Sequence, residues 1–318
     1  MATGFQDGRM QKICVIGGSR YFGKLLVERL LAAGHHVTVI NRGSARPPAG
    51  VEHLTADRND EAALTAALGS RTFDVVVDQV CYTPVQAAIA ARVFAGRTGR
   101  YVMTSTIEVY DPATGASPTT SAVTEELVDP AAWPVDLDLP WHDDAHLAAH
   151  YAEGKRQAEA VFTRAGAFAF VSVRSAHVLG GGAQEFTGRL AHYVDRIATG
   201  RTVAVHAEAL PTVFIHYAEL ADLLLWAATA DFTGPVNACS DGLLDVHGIA
   251  TIVGAQVGRE PAFRTVPVGD AASPFSFDRP YAMSNTRAKA LGYSFSRTTD
   301  WLPGAVAEAL AAEPSPTA

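Results

Sequence analysis

Residues 13–23, ICVIGGSRYFG, decide the fold. The apolar run Ile13–Ile16 ends directly in Gly17 and Gly18, and Gly23 follows five residues on. Behind Gly23, KLLVERLLAAG carries apolar residues at helical spacing, and His36-Val-Thr-Val-Ile40 supplies a second strand. The order is strand, glycine turn, helix, strand: a βαβ unit. In such a turn, backbone N–H groups approach a pyrophosphate at the positive end of a helix. Glycine-rich turns are common, so the flanking strands and helix are what make this one a dinucleotide-binding fingerprint. Gly17, Gly18, Ser19, Arg20, Tyr21, Phe22 and Gly23 are therefore expected around the cofactor.

The chain has 318 residues, 48% hydrophobic and 18% charged, enough for one large α/β domain or two unequal ones. Its apolar runs are far too short to span a membrane. The first twelve residues, MATGFQDGRMQK, lack the apolar stretch of a secretory signal. Cys14, Cys81 and Cys239 form no CxxC pair, and Cys14 and Cys81 read as core thiols. A reduced, cytoplasmic protein with no membrane partner is expected. The net charge is −8. Between Asp111 and Ala149 stand eight acids (Asp111, Glu125, Glu126, Asp129, Asp136, Asp138, Asp143 and Asp144) and no Lys or Arg, which equals the whole imbalance. With no basic stripe to neutralise phosphates, nucleic acid is not an expected partner. A small-molecule substrate is, and a homodimer stays open.

Strand and helix keep alternating. Val51–Asp57 reads as a short strand and turn, Asp60–Leu68 as a helix, and Phe73–Asp78 as a buried parallel strand. Thr83 and Pro84 open a helix to Ala95 as cap and first-turn residue, and Arg100–Thr104 is the next strand. Residues 111–141 are rich in Pro, Asp, Ala and Thr and read as a long loop, of the kind used as lids. A single long helix is expected from about His142 to Ala165, then a strand over Phe168–Val173. Glu185–Thr199, Glu219–Ala230, Leu244–Val257 and Gly304–Ala312 look helical. The expectation is a Rossmann-type, doubly wound parallel sheet with a smaller C-terminal α/β substrate domain. Residues 1–175 form the dinucleotide-binding part, with the acidic insertion at about 111–141. Residues 176–318 are mainly substrate-binding, with a return to the first part at about 212–240.

The chemistry centres on Tyr151-Ala-Glu-Gly-Lys155. Tyr and Lys at i and i+4 share one helix face. A phenol with a pKa near ~10 is a poor acid or base at neutral pH. An adjacent ammonium favours the phenolate and is expected to lower that pKa. The same Lys155 can bond ribose hydroxyls of a nicotinamide cofactor. Alone, such a pair is usually a surface feature; here it follows the fingerprint and the fifth strand, where the nicotinamide end should lie. A hydroxyl from the carboxyl end of Arg100–Thr104 should hold the substrate carbonyl beside the Tyr. The stretch is Met103-Thr-Ser-Thr106-Ile-Glu-Val-Tyr110; Thr106 is the choice, with Ser105 as the alternative.

These segments together resemble the extended short-chain dehydrogenases/reductases, the NAD-dependent epimerase/dehydratase family. IGGSRYFG at 16–23 is similar to the family's glycine motif, with Gly in place of the usual Thr. TSTIEVYD at 104–111 resembles its serine/threonine segment, with Asp111 replacing a Gly, and YAEGK at 151–155 matches its YxxxK pair. VRSAHVLG at 173–180, FIHYAELADLLL at 214–225 and SNTRAKALGY at 284–293 resemble later elements, so the likeness covers nearly the whole chain. The resemblance implies a Thr106–Tyr151–Lys155 catalytic triad and a pyrophosphate on Gly17, Gly18 and Gly23. It places Asp57 at the adenine with Arg58 beside it. It also implies an NAD(P)-dependent oxidoreductase transferring hydride at a secondary alcohol or ketone of a sugar-like or secondary-metabolite substrate.

Cofactor choice turns on the residue ending the second strand. An acid there favours NAD through the ribose 2′-hydroxyl, and a base favours NADP through its 2′-phosphate. This chain has Asn41-Arg42, with Arg20 in the glycine turn, and two guanidiniums can clamp one phosphate. NADP(H) is favoured, with NAD(H) as the alternative. Glu108, two residues after Thr106, stands where dehydrating and decarboxylating members often carry an acid. Arg279 in FDRPY corresponds to an arginine that nucleotide-sugar members use for the diphosphate. Against that substrate, the family's second basic position before FxH is absent: the chain reads LPTVFIH. His142, His146 and His150 fall at i, i+4 and i+8, but a straight helix would spread them over about 12 Å, too far for one metal ion. Two other activities fit the same segments: a nucleotide-sugar epimerase or dehydratase holding NAD tightly, and a non-catalytic cofactor-binding regulator.

Overall fold

The chain folds along its strand–helix alternation, and the computed structural model describes residues 10–111 and 122–312. β1 (Lys12–Ile16) leads through the glycine turn into α1 (Tyr21–Ala32), and β2 (His36–Asn41) follows. Next come β3 (Glu52–Thr55), α2 (Glu61–Leu68), β4 (Phe73–Asp78), α3 (Pro84–Phe94) and β5 (Thr98–Thr106). The Asp60 side chain accepts from Ala63 N at 2.9 Å, and Thr83 Oγ1 accepts from Gln86 N at 3.1 Å. These are the cap bonds that fix where α2 and α3 begin. After a 3-10 turn at Ile107–Tyr110 come α4 (Asp144–Ala149), α5 (Tyr151–Ala165), β6 (Ala169–Ser175) and β7 (His177–Leu179). The chain continues through α6 (Arg189–Thr199), β8 (Val203–His206), β9 (Phe214–His216), α7 (Tyr217–Thr229) and β10 (Gly234–Ala238). It ends in α8 (Val246–Val257), β11 (Phe263–Val266), α9 (Thr286–Ala290) and α10 (Thr298–Ala311).

Seven strands form one sheet in the order β10-β6-β5-β4-β1-β2-β3, every pair parallel. Both faces are covered, which is why the strands read as continuous apolar runs rather than alternating ones. Ile13 and Val15 pack with Leu26, Val27 and Leu30 of α1 and with α7 on one face. Cys14 and Ile16 pack with α2, α3 and α5 on the other. A separate core joins α6, α8 and α10 with β8 and Phe214. The two-stranded sheets β8–β11 and β7–β9 belong to the C-terminal half. The fold is thus a Rossmann-type sheet with a smaller C-terminal α/β part, and the chain comes back to the sheet at β10.

The expected helix His142–Ala165 is two helices. Asp143 caps α4 by accepting from His146 N, and His150 breaks the helical path at φ −119°, ψ 26°. The His146 carbonyl accepts from both the His150 backbone N–H and the His150 ring, each at 2.9 Å, so the junction is bonded although its backbone leaves the helical region. His146 and His150 stack at 4.1 Å between centroids. The last helix begins at Thr298, six residues before the expected Gly304, and includes Pro303. A proline there removes one intrahelical bond without ending the helix. Of the expected 111–141 loop, residues 112–121 lie outside the described residues. The rest lies along α5: Trp133 Nε1 donates to Glu153, Asp136 N donates to Gln157, and Arg156 lies 5.0 Å above the Trp133 ring.

One buried ion pair fastens this segment to the sheet. Glu159 on α5 and Arg174 on β6 are both fully buried, 2.6 Å apart. Arg174 also donates to the Tyr110 hydroxyl and to the carbonyls of Glu125 and Val128, and Ser172 Oγ donates to Glu159. Breaking a buried pair strands the remaining charge. Arg174→Met is expected to lower unfolding free energy by about 3–5 kcal/mol in urea titrations. Adding Glu159→Leu should recover only part of this, since the carbonyls of Glu125 and Val128 still lose the donors that Arg174 gave them. A loss under about 1 kcal/mol for the single variant would show that the pair does not hold the fold.

Candidate active site

The carboxyl ends of the strands carry the residues singled out in the sequence. Gly17 and Gly18 have φ of +101° and +73°, values that side chains resist. A Cβ on Gly18 would meet Val15 and Val27 at 2.9 Å, and one on Gly23 would lie 1.9 Å from Gln79 Oε1. The turn is therefore bare backbone pressed against the end of β4, and α1 opens behind it with no acid in its first turn. That is a fit for a pyrophosphate. Asn41 Nδ2 donates to Ser19 Oγ at 2.8 Å, which ties the loop bearing Arg42 to the turn bearing Arg20. Arg20 and Arg42 are exposed, and neither forms an ion pair with a described residue.

Three members of the expected set have other commitments. Tyr21 is buried at φ +49°; its hydroxyl donates to Gly180 O at 2.9 Å and its ring stacks on Tyr217. It braces the turn against the C-terminal half. Phe22 packs partly into the core beneath α1. Arg58 is buried and places Nη1 at 2.7 Å from both oxygens of Asp78, which also accepts from Tyr101. Its guanidinium is thus engaged with the sheet. Asp57 is exposed and accepts from Asn59 in a local turn.

At the other end stand Thr106, closing β5, and Tyr151 and Lys155 on α5. Lys155 Nζ donates to Thr104 O at 2.9 Å and lies 5.8 Å from the Tyr151 ring centre. Nearer still, at 4.5 Å, is the ring of Tyr82, a residue missed in the sequence. Tyr82 and Tyr151 face each other at 6.2 Å. The glycine in YAEGK explains how α5 comes so close: a Cβ on Gly154 would lie 2.4 Å from Tyr82 O. The signal that pointed to both was position, since Tyr82 follows β4 at the same carboxyl edge as Thr106. Ser105 is 2% exposed and lies within the sheet near Glu159, with no hydrogen bond from its hydroxyl among the described residues. Glu108 lies close to the Tyr281 hydroxyl, and its charge acts through space on Tyr151. Arg279 pairs with Asp111 at 3.4 Å and lies over the Tyr281 ring.

The electrostatics correct one expectation. Lys155 was expected to pull the Tyr151 pKa down. Burial instead pushes it up, helped by Tyr82 and Glu108 and opposed by Thr106 and Arg189. Burial likewise drops the Lys155 ammonium to about 8. Desolvation disfavours both charged forms and outweighs their mutual help.

A profile of the NAD dependent epimerase/dehydratase family matches residues 13–239. The chain belongs to that family. A 2'-dehydrokanamycin reductase from Streptomyces kanamyceticus is 33% identical over 149 residues, 46% of this chain and 40% of that protein's length. Among solved structures, Bordetella bronchiseptica WbmH in complex with NAD+ is similar at TM-score 0.67 and 18% identity, covering 94% of this chain and 98% of its own. WbmG from the same organism, with NAD and UDP, is similar at TM-score 0.70 and 16% identity, covering 96% and 94%. At such identities the likeness is one of fold. As a member of the epimerase/dehydratase family the protein is an enzyme of the short-chain dehydrogenase/reductase type, with a nicotinamide dinucleotide as cofactor. Among the described residues no helix is long and apolar enough to cross a membrane.

The Lys155 shift sets a pH dependence. Its folded pKa, about 8, lies below the ~10.4 of an unperturbed lysine, so the free enzyme loses this charge first. A dinucleotide held by the ammonium binds in the protonated form, and above pH 8 binding takes up a proton. Dinucleotide affinity should therefore be steady below pH 8 and fall by up to about tenfold per pH unit above it. Lys155→Arg keeps its charge and should flatten the profile. A flat wild-type profile to pH 9.5 would remove Lys155 from the cofactor contact.

Proposed function

We propose that the chain is an NADPH-dependent reductase that converts a ketone on a sugar-like or secondary-metabolite molecule into a secondary alcohol. The observation that carries this reading is the placement of Tyr151, a phenol protonated at neutral pH, hydrogen-bonded to Thr106 and one helical turn from Lys155. A protonated phenol is a donor, which is what reduction of a ketone requires. The bound dinucleotide supplies the hydride. Thr106 orients the ketone oxygen, and Tyr151 gives that oxygen its proton. Lys155 holds the cofactor ribose and, when charged, supports the phenolate left behind. Gly17, Gly18 and Gly23 hold the pyrophosphate, and Asp57 meets the adenine. Exposed Arg20 and Arg42 favour the 2′-phosphate of NADP(H). Residues 1–175 serve as the dinucleotide part and 176–318 mainly as the substrate part. The reductase name of the relative, over its matched stretch, supports net reduction.

Two variants test the assignment. Tyr151→Phe should nearly abolish kcat and leave cofactor affinity almost unchanged, because only the proton donor is lost. Retained wild-type kcat would overturn its role. Arg42→Ala should weaken NADPH binding by about 1.5–3 kcal/mol, roughly ten- to a hundredfold, and barely affect NADH. Arg20→Ala in the same chain tests compensation. A wild type that prefers NADH, or product formed without net cofactor consumption, would favour the tightly held NAD of an epimerase or dehydratase.

A further inference from the structure

Resting on the reductase reading, we propose that the pocket bounded by Glu108, His177 and Tyr281 takes an amine-bearing, positively charged sugar-like substrate rather than a nucleoside diphosphate sugar. The boundary is drawn by contacts. Glu108 lies close to Tyr281. Tyr281 is 5.5 Å from the His177 ring. His177 Nδ1 is 3.4 Å from Arg189 Nη1, and Arg189 in turn acts on Tyr151. Tyr281, His177 and Arg189 thus stand side by side, and the charges of Glu108 and Arg189 both reach the Tyr151 phenol.

Two groups in this cluster are built for a guest. His177 is 4% exposed, and its Nε2 has no hydrogen-bond partner. Phe214, Phe275 and Phe277 surround its ring at 5.2–5.8 Å between centroids. Because Arg189 can only donate, His177 Nδ1 is the acceptor, which leaves the proton on Nε2. Tyr281 is also 4% exposed, and its hydroxyl makes no well-formed hydrogen bond. Buried polar groups seldom stay unpaired. A polyhydroxylated substrate supplies partners for both.

Charge then selects the class. Arg279 is neutralised by Asp111, and Glu185 stands near Arg189. Glu108 forms no ion pair with any described residue. The pocket therefore presents one uncompensated carboxylate two residues beyond Thr106, and an ammonium on the substrate compensates it. Around the site, the 111–149 stretch adds acids with no base among them, a field that draws cations and repels phosphates. Ahead of Phe214 the chain offers no cation for a phosphate: Thr212 there is fully buried and bonded to Tyr281 O. The matched relative's name, 2'-dehydrokanamycin reductase, denotes a ketone on an amine-bearing sugar skeleton.

The test uses the full chain saturated with whichever dinucleotide it binds, so it does not depend on the cofactor preference above. Kanamycin, fully N-acetylated kanamycin and uridine diphosphate are titrated by calorimetry. Kanamycin is expected to bind, N-acetylation to weaken it roughly ten- to a hundredfold, and UDP to bind more weakly than kanamycin. Glu108→Gln, nearly isosteric and checked by melting temperature, should lose a similar factor for kanamycin and nothing for the acetylated form. His177→Ala should weaken both forms, because it removes a neutral donor. The proposal falls if UDP binds more tightly than kanamycin, if acetylation leaves the affinity unchanged, or if Glu108→Gln binds kanamycin like wild type. Failure to oxidise NADPH with the ketone 2'-dehydrokanamycin as hydride acceptor, with kanamycin binding intact, would strike the reductase reading alone.

Discussion

The Glu159–Arg174 pair is the constraint on which the site depends. Glu159 lies one helical turn beyond Lys155, and Arg174 ends the strand beside β5. The pair therefore fixes how far α5 slides along the sheet, and with it the height of Tyr151 and Lys155 over the strand ends. Burying two charges is expensive, and an apolar pair of similar size could pack as tightly. What the ion pair adds is direction: five donors on one guanidinium reach a carboxylate, a phenol and two carbonyls in fixed places. A second buried pair, Arg58–Asp78, does the same for the end of β4. Both carboxyl-edge loops are held from beneath by charge and not by apolar packing alone.

The same burial tunes the chemistry. Tyr82, Gly154 and Trp141 close over the Tyr–Lys pair, and the loss of water works against both ions. In the free enzyme the site rests as a neutral phenol beside an ammonium that is easily lost. On the proposed cofactor placement, a bound dinucleotide brings anionic and polar groups against Lys155 and restores its charge. The proton economy of the site is thus set by its occupant as much as by its residues.

Much of this was legible in the sequence. The βαβ fingerprint, the strand ends and the YxxxK spacing are local patterns, and local patterns survive folding. The breaks were not legible. His150 splits a helix by a local change of backbone angles, an event with no periodic signature. The last helix was expected from Gly304, but α10 begins at Thr298 and runs through Pro303. The expected pKa of Tyr151 went wrong in sign because spacing shows which charges are near and says nothing of how much water is gone. Tyr82 and Gly154 depend on two segments about seventy residues apart meeting, and no single stretch encodes that contact. Arg58 looked like a cofactor residue by its place in TADRND, yet its partner Asp78 lies on a strand the motif does not contain.

Tyr21 carries a consequence for engineering. It leaves the glycine turn in a left-handed conformation, reaches Gly180 three residues beyond His177, and stacks on Tyr217. The cofactor turn and the substrate pocket are thus joined by one strut of three residues from distant parts of the chain. A chimera that grafts another relative's C-terminal half onto this N-terminal half inherits one side of that strut without the other. Tyr21 would keep its unfavourable backbone geometry and lose the contacts that offset it. The modular exchange of substrate halves, natural or designed, must move residues 21, 180 and 217 together.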